Sequence, residues 1–204
     1  MNVLVTLFVL FLSVCVHAEQ WDYQESVQYQ ENHDPSVIWL LDGRKLSVNY
    51  DAISWEEVDA WPANKTIILG YRVGLGTVLF DPVSKKQIHV IAGLDKHPLD
   101  TLTEQCLEKA YSTLDMAQCY QSARINWDTE LNAHYARLMS TLSKEDKRLL
   151  EDSQRAWVLF RDAQVKSIRA VYDRDGSVWG LVIAEKEIEL TKEQALRLNA
   201  LSAF

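Results

Sequence analysis

The feature that most constrains the fold is a change in the spacing of apolar residues near residue 100. Before it, short runs rich in β-branched residues alternate with turn-forming residues; after it, apolar residues recur every three or four positions. The first pattern is typical of β-strands and the second of amphipathic helices. The sequence therefore predicts an α+β fold: a small antiparallel β domain at residues 19–100, then an antiparallel helical hairpin or bundle domain at residues 101–204.

Strands are predicted at five runs, which are residues 37–41, 45–50, 66–69, 77–80 and 87–91. Asp42-Gly43 joins the first two runs and is a strong hairpin signal. Residues 81–84 (DPVS) place a proline at the second position of a turn. Segment 19–36 is polar and contains no comparable run, so we interpret it as a flexible start to the β domain.

Two long helices are predicted in the second half. The apolar face of the first is formed by Trp127, Leu131, Tyr135, Leu138 and Leu142, and that of the second by Leu150, Trp157, Phe160, Ile168 and Val171. Asp115 and Ser143 resemble N-caps, with Gln118 and Asp146 three residues on. Because almost nothing separates the two helices at Ser143, we expect them to fold back antiparallel.

The N-terminus has the pattern of a secretory signal peptide. Residues 3–16 form an apolar run too short for a membrane span, and residues 16–18 (VHA) before Glu19 fit a signal-peptidase site. We expect residues 1–18 to be removed by cleavage between Ala18 and Glu19, although no Lys or Arg precedes the run. Lipid anchoring through Cys15 is the weaker interpretation, since Val14 occupies a position where a lipobox has Gly or Ala.

Removal of residues 1–18 leaves two cysteines, Cys106 and Cys119. An even pair in an exported protein predicts one disulfide. The alternative is a metal site, but no second Cys or His couple lies at ligand spacing.

The acidic charge is concentrated in the β half. Residues 19–100 contain thirteen acidic and seven basic residues and account for −6 of the total charge of −8. The lack of a basic run argues against nucleic acid and anionic membranes as partners and favours a basic protein. Residues 55–61 (WEEVDAW) are a candidate binding segment, with aromatic Trp55 and Trp61 and acidic Glu56, Glu57 and Asp59. The alternative is a solvated acidic face above buried tryptophans.

No catalytic constellation is evident, and we predict neither enzymatic activity nor a cofactor or metal. The four histidines after residue 18 are scattered, at His33, His89, His97 and His134. Glu130 and His134 share a helix face, but a metal needs at least one more ligand. There is no Gly-x-Ser-x-Gly elbow. A carboxylate pair of the glycosidase type, as in a small cell-wall hydrolase, is the remaining enzymatic alternative.

Several short motifs occur in a specific order after Cys106 and Cys119. Residues 128–138 (DTELNAHYARL) fit D-x-x-L-N-x-x-Y-x-x-L, and residues 154–162 (QRAWVLFRD) fit Q-R-x-W-x-x-[FY]-R-D. Over residues 106–201 the chain resembles the lysozyme inhibitor LprI family. The resemblance implies an exported helical protein of the bacterial envelope, whose named relative inhibits lysozyme. Val165 replaces the cysteine that usually follows R-D-x-x, and no cysteine follows Cys119, which indicates the loss of a second disulfide.

The motif residues suggest a structural role. Folding about Ser143 brings Asn132 opposite Gln154, so we expect an interhelical polar network of Asp128, Asn132, Gln154 and Arg161. The alternative places Arg155, Trp157 and Asp162 on a recognition surface. The apolar stripes that contain Trp127 and Trp157 favour core packing for both rings.

Together these features predict a non-enzymatic binding protein, periplasmic or secreted, that inhibits lysozyme-type muramidases by occlusion. The alternative is a structural or assembly factor of the envelope that binds another protein through the helical hairpin.

Overall fold

The computed structural model describes residues 21–50 and 53–201. The predicted signal peptide, its cleavage site at Ala18 and Glu19, and Cys15 lie outside these residues. The first half is a closed antiparallel barrel with the strand order β1-β2-β3-β6-β5-β4. Its six strands are β1 Tyr23–Asp34, β2 Val37–Leu40, β3 Lys45–Asn49, β4 Thr66–Arg72, β5 Gly76–Phe80 and β6 Gln87–Ala92. The predicted α+β class is confirmed.

Strand β1 corrects the interpretation of segment 19–36 as flexible. Residues 23–34 form the longest strand of the barrel, which pairs with β2 on one side and with β4 on the other. Burial alternates along it, with Val27 and Tyr29 buried and Gln28 and Gln30 exposed. This strand closes the barrel, because without it β2 and β4 would both be open edges.

The barrel is filled by aliphatic side chains from all six strands. Its core is completed by Val58 of a short helix, α1 Trp55–Asp59, whose side chain is fully buried. The hairpin predicted at Asp42-Gly43 is confirmed: β2 and β3 pair antiparallel, and Gly43 has a φ of 91°, which favours glycine.

Four helices follow the barrel, namely α2 Pro98–Glu108, α3 Thr113–Thr141, α4 Lys144–Val171 and α5 Ser177–Leu201. The N-cap predicted at Ser143 is confirmed. The one predicted at Asp115 is wrong: Ser112 caps α3, and Asp115 is the third residue of its capping box, accepting from the Ser112 backbone N–H. An aspartate at this third position imitates an N-cap in sequence.

Helices α3 and α5 pack together and form the core of the helical half, with α2 against α3. The predicted α3 face is confirmed, with Trp127, Leu131 and Leu138 buried. Helix α4 runs antiparallel to α3, since Arg169 near its end lines the same cavity as Thr113 at the start of α3.

Helix α4 contributes less to the core than its sequence predicts. Leu150 and Trp157 pack against the helical core, but Phe160 is 53% and Val171 61% exposed. The apolar face predicted for α4 is therefore buried only in part: Leu150 and Trp157 pack inward, whereas Phe160 and Val171 are exposed.

The predicted disulfide is confirmed. Cys106 in the last turn of α2 is bonded to Cys119 in the second turn of α3. It fixes the short connection between these two helices. None of the helices in the described part of the chain has the length and hydrophobicity needed to cross a membrane.

Candidate partner-binding surfaces

The segment at residues 55–61 lies on the outside of the barrel and is anchored by its apolar residues. Ser54 caps α1 by accepting from the Glu57 backbone N–H at 3.3 Å. The Trp61 ring meets Tyr29 edge to face at 5.5 Å, and the Trp55 ring meets Tyr50 at 6.3 Å. Both tryptophans are partly buried. They hold α1 on the barrel and leave its acidic residues to face solvent.

Those acidic residues, Glu56, Glu57 and Asp59, are all exposed and are called the α1 acidic face below. Glu57 is paired with Lys86, whose Nζ lies 2.8 Å from Oε1. Hydrogen bonds from its own backbone N–H and from Ser54 lower the pKa of Glu56. Glu56 is therefore ionised at neutral pH, and the face presents negative charge to solvent.

The recognition residues predicted on α4 have different environments. The Arg155 side chain is 75% exposed, and its contacts with Asp152 and Glu151 are long, at 3.5 and 3.9 Å. The Asp162 side chain is 54% exposed and accepts from Arg161 at 2.8 Å. Trp157 packs against the helical core, with the Arg161 guanidinium 5.2 Å from the ring centre. Arg155 and Asp162 are accessible to a partner, and Trp157 is much less so.

The structure does not bring the predicted interhelical network together. Asn132 donates to the Asp128 backbone carbonyl at 2.8 Å, within α3, and Arg161 is bonded to its neighbour Asp162. Within the described residues, the buried Gln154 Nε2 has no hydrogen-bond partner. The network hypothesis is corrected because α5, rather than α4, is the close neighbour of α3.

A polar cluster that the sequence did not reveal joins the barrel to the helices. Glu130 of α3 is 2% exposed and accepts hydrogen bonds from the Tyr71 hydroxyl at 3.0 Å and from the Gly74 backbone N–H at 2.7 Å. Its other oxygen lies 3.2 Å from Nε2 of His134, which is 4% exposed. One carboxylate thus binds strand β4, the β4–β5 turn and its own helix.

The charge state of this junction follows from its hydrogen bonds. Burial alone raises the pKa of Glu130, but donation from His134, Gly74 and Tyr71 outweighs it and keeps the pKa below its usual range. Burial and the nearby Glu130 raise the pKa of Tyr71. Glu130 is therefore a carboxylate at neutral pH, and Tyr71 is the neutral donor.

His97 occupies the neighbouring part of the junction. It is the N-cap of α2, with Nδ1 accepting from the Leu99 backbone N–H at 3.2 Å. Its ring packs edge to face on Tyr71 at 5.3 Å and against Trp127 at 4.5 Å. Burial lowers the pKa of His97. Residues 97–100 therefore form the N-cap and the start of α2, held by aromatic packing.

The junction is suited to holding the two halves together rather than to catalysis. Glu130 and His134 are buried, and the Glu130 oxygens are occupied by protein donors, so a substrate has no access to them. Within residues 21–50 and 53–201, no three His, Cys, Asp or Glu side chains are placed to hold a metal ion. The spacing of Glu130 and His134 suggested a pair, but Tyr71 and Gly74 are too distant in sequence for a local pattern to reveal.

Comparison with known proteins finds a similarity in the helical half. Residues 106–198 match the family Lysozyme inhibitor LprI. This match confirms the resemblance seen in the motifs and leaves the barrel outside it. A crystal structure of an uncharacterized protein from Burkholderia thailandensis is 31% identical, with a TM-score of 0.48. The match covers 52% of this chain and only 54% of that one. No curated protein matches the chain.

Proposed function

We propose that this chain is an exported protein of the bacterial envelope, periplasmic or secreted, that inhibits lysozyme-type muramidases by covering their substrate cleft. The observation that carries the proposal is the LprI match of residues 106–198. Inhibition by occlusion requires a stable complementary surface and no chemistry. The absence of a catalytic arrangement among the candidate residues described above is consistent with that mechanism.

The α1 acidic face is the surface that we assign to the muramidase. Many lysozymes are strongly basic, and complementary charge accelerates association and sets orientation. Glu56 and Asp59 are exposed, and α1 is anchored by Val58, which is fully buried. Because α1 is already ordered in the free protein, binding through it loses little conformational entropy.

A second candidate function is an envelope assembly factor that binds another protein through α4. It is favoured by the large exposed apolar side chains of that helix, including Leu159 at 73% exposure.

Charge reversal on α1 tests the proposed surface. The variant is E56K/D59K, and its matched control is E189K/E193K, which makes the same charge change at two exposed positions of α5. Binding to an immobilised basic lysozyme is measured at low and high salt, with circular dichroism to verify folding. We expect α1 reversal to weaken binding by roughly tenfold or more at low salt, because each exposed pair contributes about 0.2–1 kcal/mol and reversal makes it repulsive.

The control should weaken binding far less, and high salt should reduce the difference between the variants because exposed charges are screened. Equal losses in the two variants would show that only net charge matters and would reject the α1 surface. If the unmodified protein does not bind the lysozyme at either salt concentration, the inhibitor proposal itself is wrong.

A further inference from the structure

One glycine of the helical half has no role in the packing of its own chain. Gly180 lies inside α5, where only proline would be less favourable than glycine. A β-carbon added to it would meet no atom within 4 Å, so the fold leaves room for a side chain. Each of the other six glycines has a structural reason: five have a positive φ, and the sixth, Gly70, lies against the Trp21 ring. Glycine at an open helical position is expected where a ligand must approach the backbone closely.

Gly180 lies where two cavities meet. The first is formed by the end of α4, the α4–α5 turn and the start of α5, and the second by α3 and α5. Gly180 and Arg169 line both of them. Each cavity has a volume of about 460 Å³, which is within the range of ligand-binding pockets. The two together are called the Gly180 cleft below, and a side chain at residue 180 would occupy part of their space.

Aromatic rings form part of the walls of the cleft. Tyr172 and Trp179 line the first cavity, and their rings stack with centres 6.0 Å apart. Tyr120 lines the second cavity. All three side chains are partly buried, so the fold holds each ring in place and leaves some of its surface accessible. Rings with an apolar body and a polar group are frequent in binding sites, because they supply a large contact area.

Three arginines also line the cleft, and two of them have no acidic partner. Arg174 lies over the Trp179 ring, with its guanidinium 4.6 Å from the ring centre. Arg124 makes one long hydrogen bond, at 3.4 Å, to a glutamine of its own helix. Among the described residues neither of these arginines forms an ion pair, whereas Arg169 is paired with Glu187 at 2.8 Å. Two exposed guanidinium groups in the cleft therefore keep donors for a ligand.

The charge of the cleft is opposite to that of the whole chain. Its acidic residues are Glu187, which is paired with Arg169, and the exposed Asp173. The three arginines exceed these two carboxylates by one, although the chain has a net charge of −8. A guanidinium binds a carboxylate through two parallel hydrogen bonds, and one that lies flat on an aromatic ring is already oriented for this contact. The cleft therefore favours an anionic ligand.

We propose that the Gly180 cleft binds a short acidic peptide segment of another protein, whose backbone passes over Gly180 and whose carboxylates pair with Arg124 and Arg174. Two adjoining cavities of this size exceed the space that an inorganic anion needs, and the aromatic walls provide contact area for apolar side chains of the peptide. Gln121 and Ser177 line the second cavity and supply hydrogen-bonding groups for the peptide backbone. The cleft is distinct from the α1 acidic face, which lies on the barrel and suits a basic partner.

Selection from a displayed library of short random peptides tests the proposal without assuming a sequence. Peptides are selected on the full chain, and those that also bind Gly180→Leu, whose side chain fills the cleft, are removed. We expect the remaining peptides to carry Asp or Glu beside a large apolar residue. In fluorescence anisotropy with one such peptide, Gly180→Leu and Arg174→Gln should each weaken binding by roughly tenfold or more. The control Arg197→Gln, at an exposed position of α5 outside the cleft, should leave binding unchanged.

Thermal denaturation separates binding from stability. Because alanine favours a helix more than glycine does and meets no atom here, Gly180→Ala should raise the melting temperature by about 2–4 °C. Leucine is also a good helix former, so the loss of binding in Gly180→Leu should occur in a protein at least as stable as the unmodified one. A lower melting temperature for Gly180→Ala would show that the chain's own packing requires glycine, which would overturn the argument.

Three results of the peptide experiments would also overturn the proposal. The first is that no peptide is enriched on the unmodified chain relative to Gly180→Leu. The second is that the enriched peptides lack acidic residues, and the third is that Arg174→Gln binds them as tightly as the unmodified protein does. These measurements use no lysozyme, so they can fail or succeed independently of the proposed inhibition.

Discussion

The junction between barrel and helices depends on one buried carboxylate, so replacing Glu130 by alanine should strongly destabilise the protein. The change removes the acceptor for the Tyr71 hydroxyl and the Gly74 N–H and removes the partner of His134. A buried donor that loses its acceptor costs about 1–3 kcal/mol. Tyr71 is 1% exposed and Gly74 is partly exposed, so water can replace the lost bond only at the glycine.

The expected loss is therefore about 3 kcal/mol, which is a large part of the 5–15 kcal/mol typical of a folded domain. Urea denaturation monitored by tryptophan fluorescence measures it. Glu130→Gln retains an acceptor oxygen and should cost less, about 1–2 kcal/mol. Asp128→Ala, an exposed change on the same helix, is the control and should lie within about 0.5 kcal/mol of the unmodified protein.

The pH dependence gives an independent check of this interpretation. The pKa of Glu130 is lower in the folded protein than its ordinary value of 4.5. Its contribution is therefore fully present above about pH 4.5 and is lost as the pH falls through the folded pKa. The stability difference between the unmodified protein and Glu130→Gln should shrink in that acid range. A loss below about 1 kcal/mol for Glu130→Ala, or one equal to that of the control, would refute the reasoning.

Three further predictions follow from single contacts. Because burial lowers the pKa of His97 from 6.5, stability should decrease as the pH falls from 6.5 towards the folded pKa, and His97→Asn should flatten that part of the urea-denaturation pH profile. Replacing Cys106 and Cys119 by serine should lower the free energy of unfolding by about 3 kcal/mol, because the unfolded chain is no longer constrained by a closed loop. A denaturant titration measures this loss, and an unchanged midpoint would contradict the prediction. Arg161→Ala should change the melting temperature little, because its hydrogen bonds go to the exposed Asp162, whereas the interhelical network would require a clear decrease.

The sequence predicted those parts of the fold that depend on near neighbours. The Asp42-Gly43 hairpin and the Ser143 cap each depend on a few adjacent residues, and both are confirmed. Strand β1 was missed because its pattern is largely polar. Its Glu25 is tolerated half-buried because Arg44, far along the chain, lies 2.6 Å away. That contact exists only after the barrel has formed.

Helix α4 shows a second limit of prediction from the sequence, which concerns the faces of a helix. A spacing of three or four residues predicts a helix, but it cannot distinguish two apolar faces about 60–80° apart. Leu150 and Trp157 lie on the inner face, and Phe160 lies on the outer one. From the spacing alone these residues form one face, and folding about Ser143 brings polar residues of α3 and α4 opposite each other. The α3–α5 packing that prevents this depends on contacts between residues distant in sequence.

The candidate sites differ in the same way between features that local sequence predicts and features that depend on distant residues. The acidic and aromatic composition of residues 55–61 was evident in sequence, and the structure shows its carboxylates exposed and its tryptophans used for packing. The Glu130 junction was not evident, because Tyr71 and Gly74 precede Glu130 by 59 and 56 residues. The available signal was that Glu130 and His134 share a helix face, and it did not identify the partners.

The proposed inhibition of a muramidase by occupation of its cleft can be measured directly. The measurement is the steady-state rate of a basic lysozyme on a soluble oligosaccharide substrate, with increasing amounts of the purified protein. Occlusion predicts that the apparent KM rises with the amount of protein while kcat stays constant, and that activity is abolished near one equivalent when binding is tight. Full activity in the presence of excess protein, or a fall in kcat at unchanged KM, would contradict the claim.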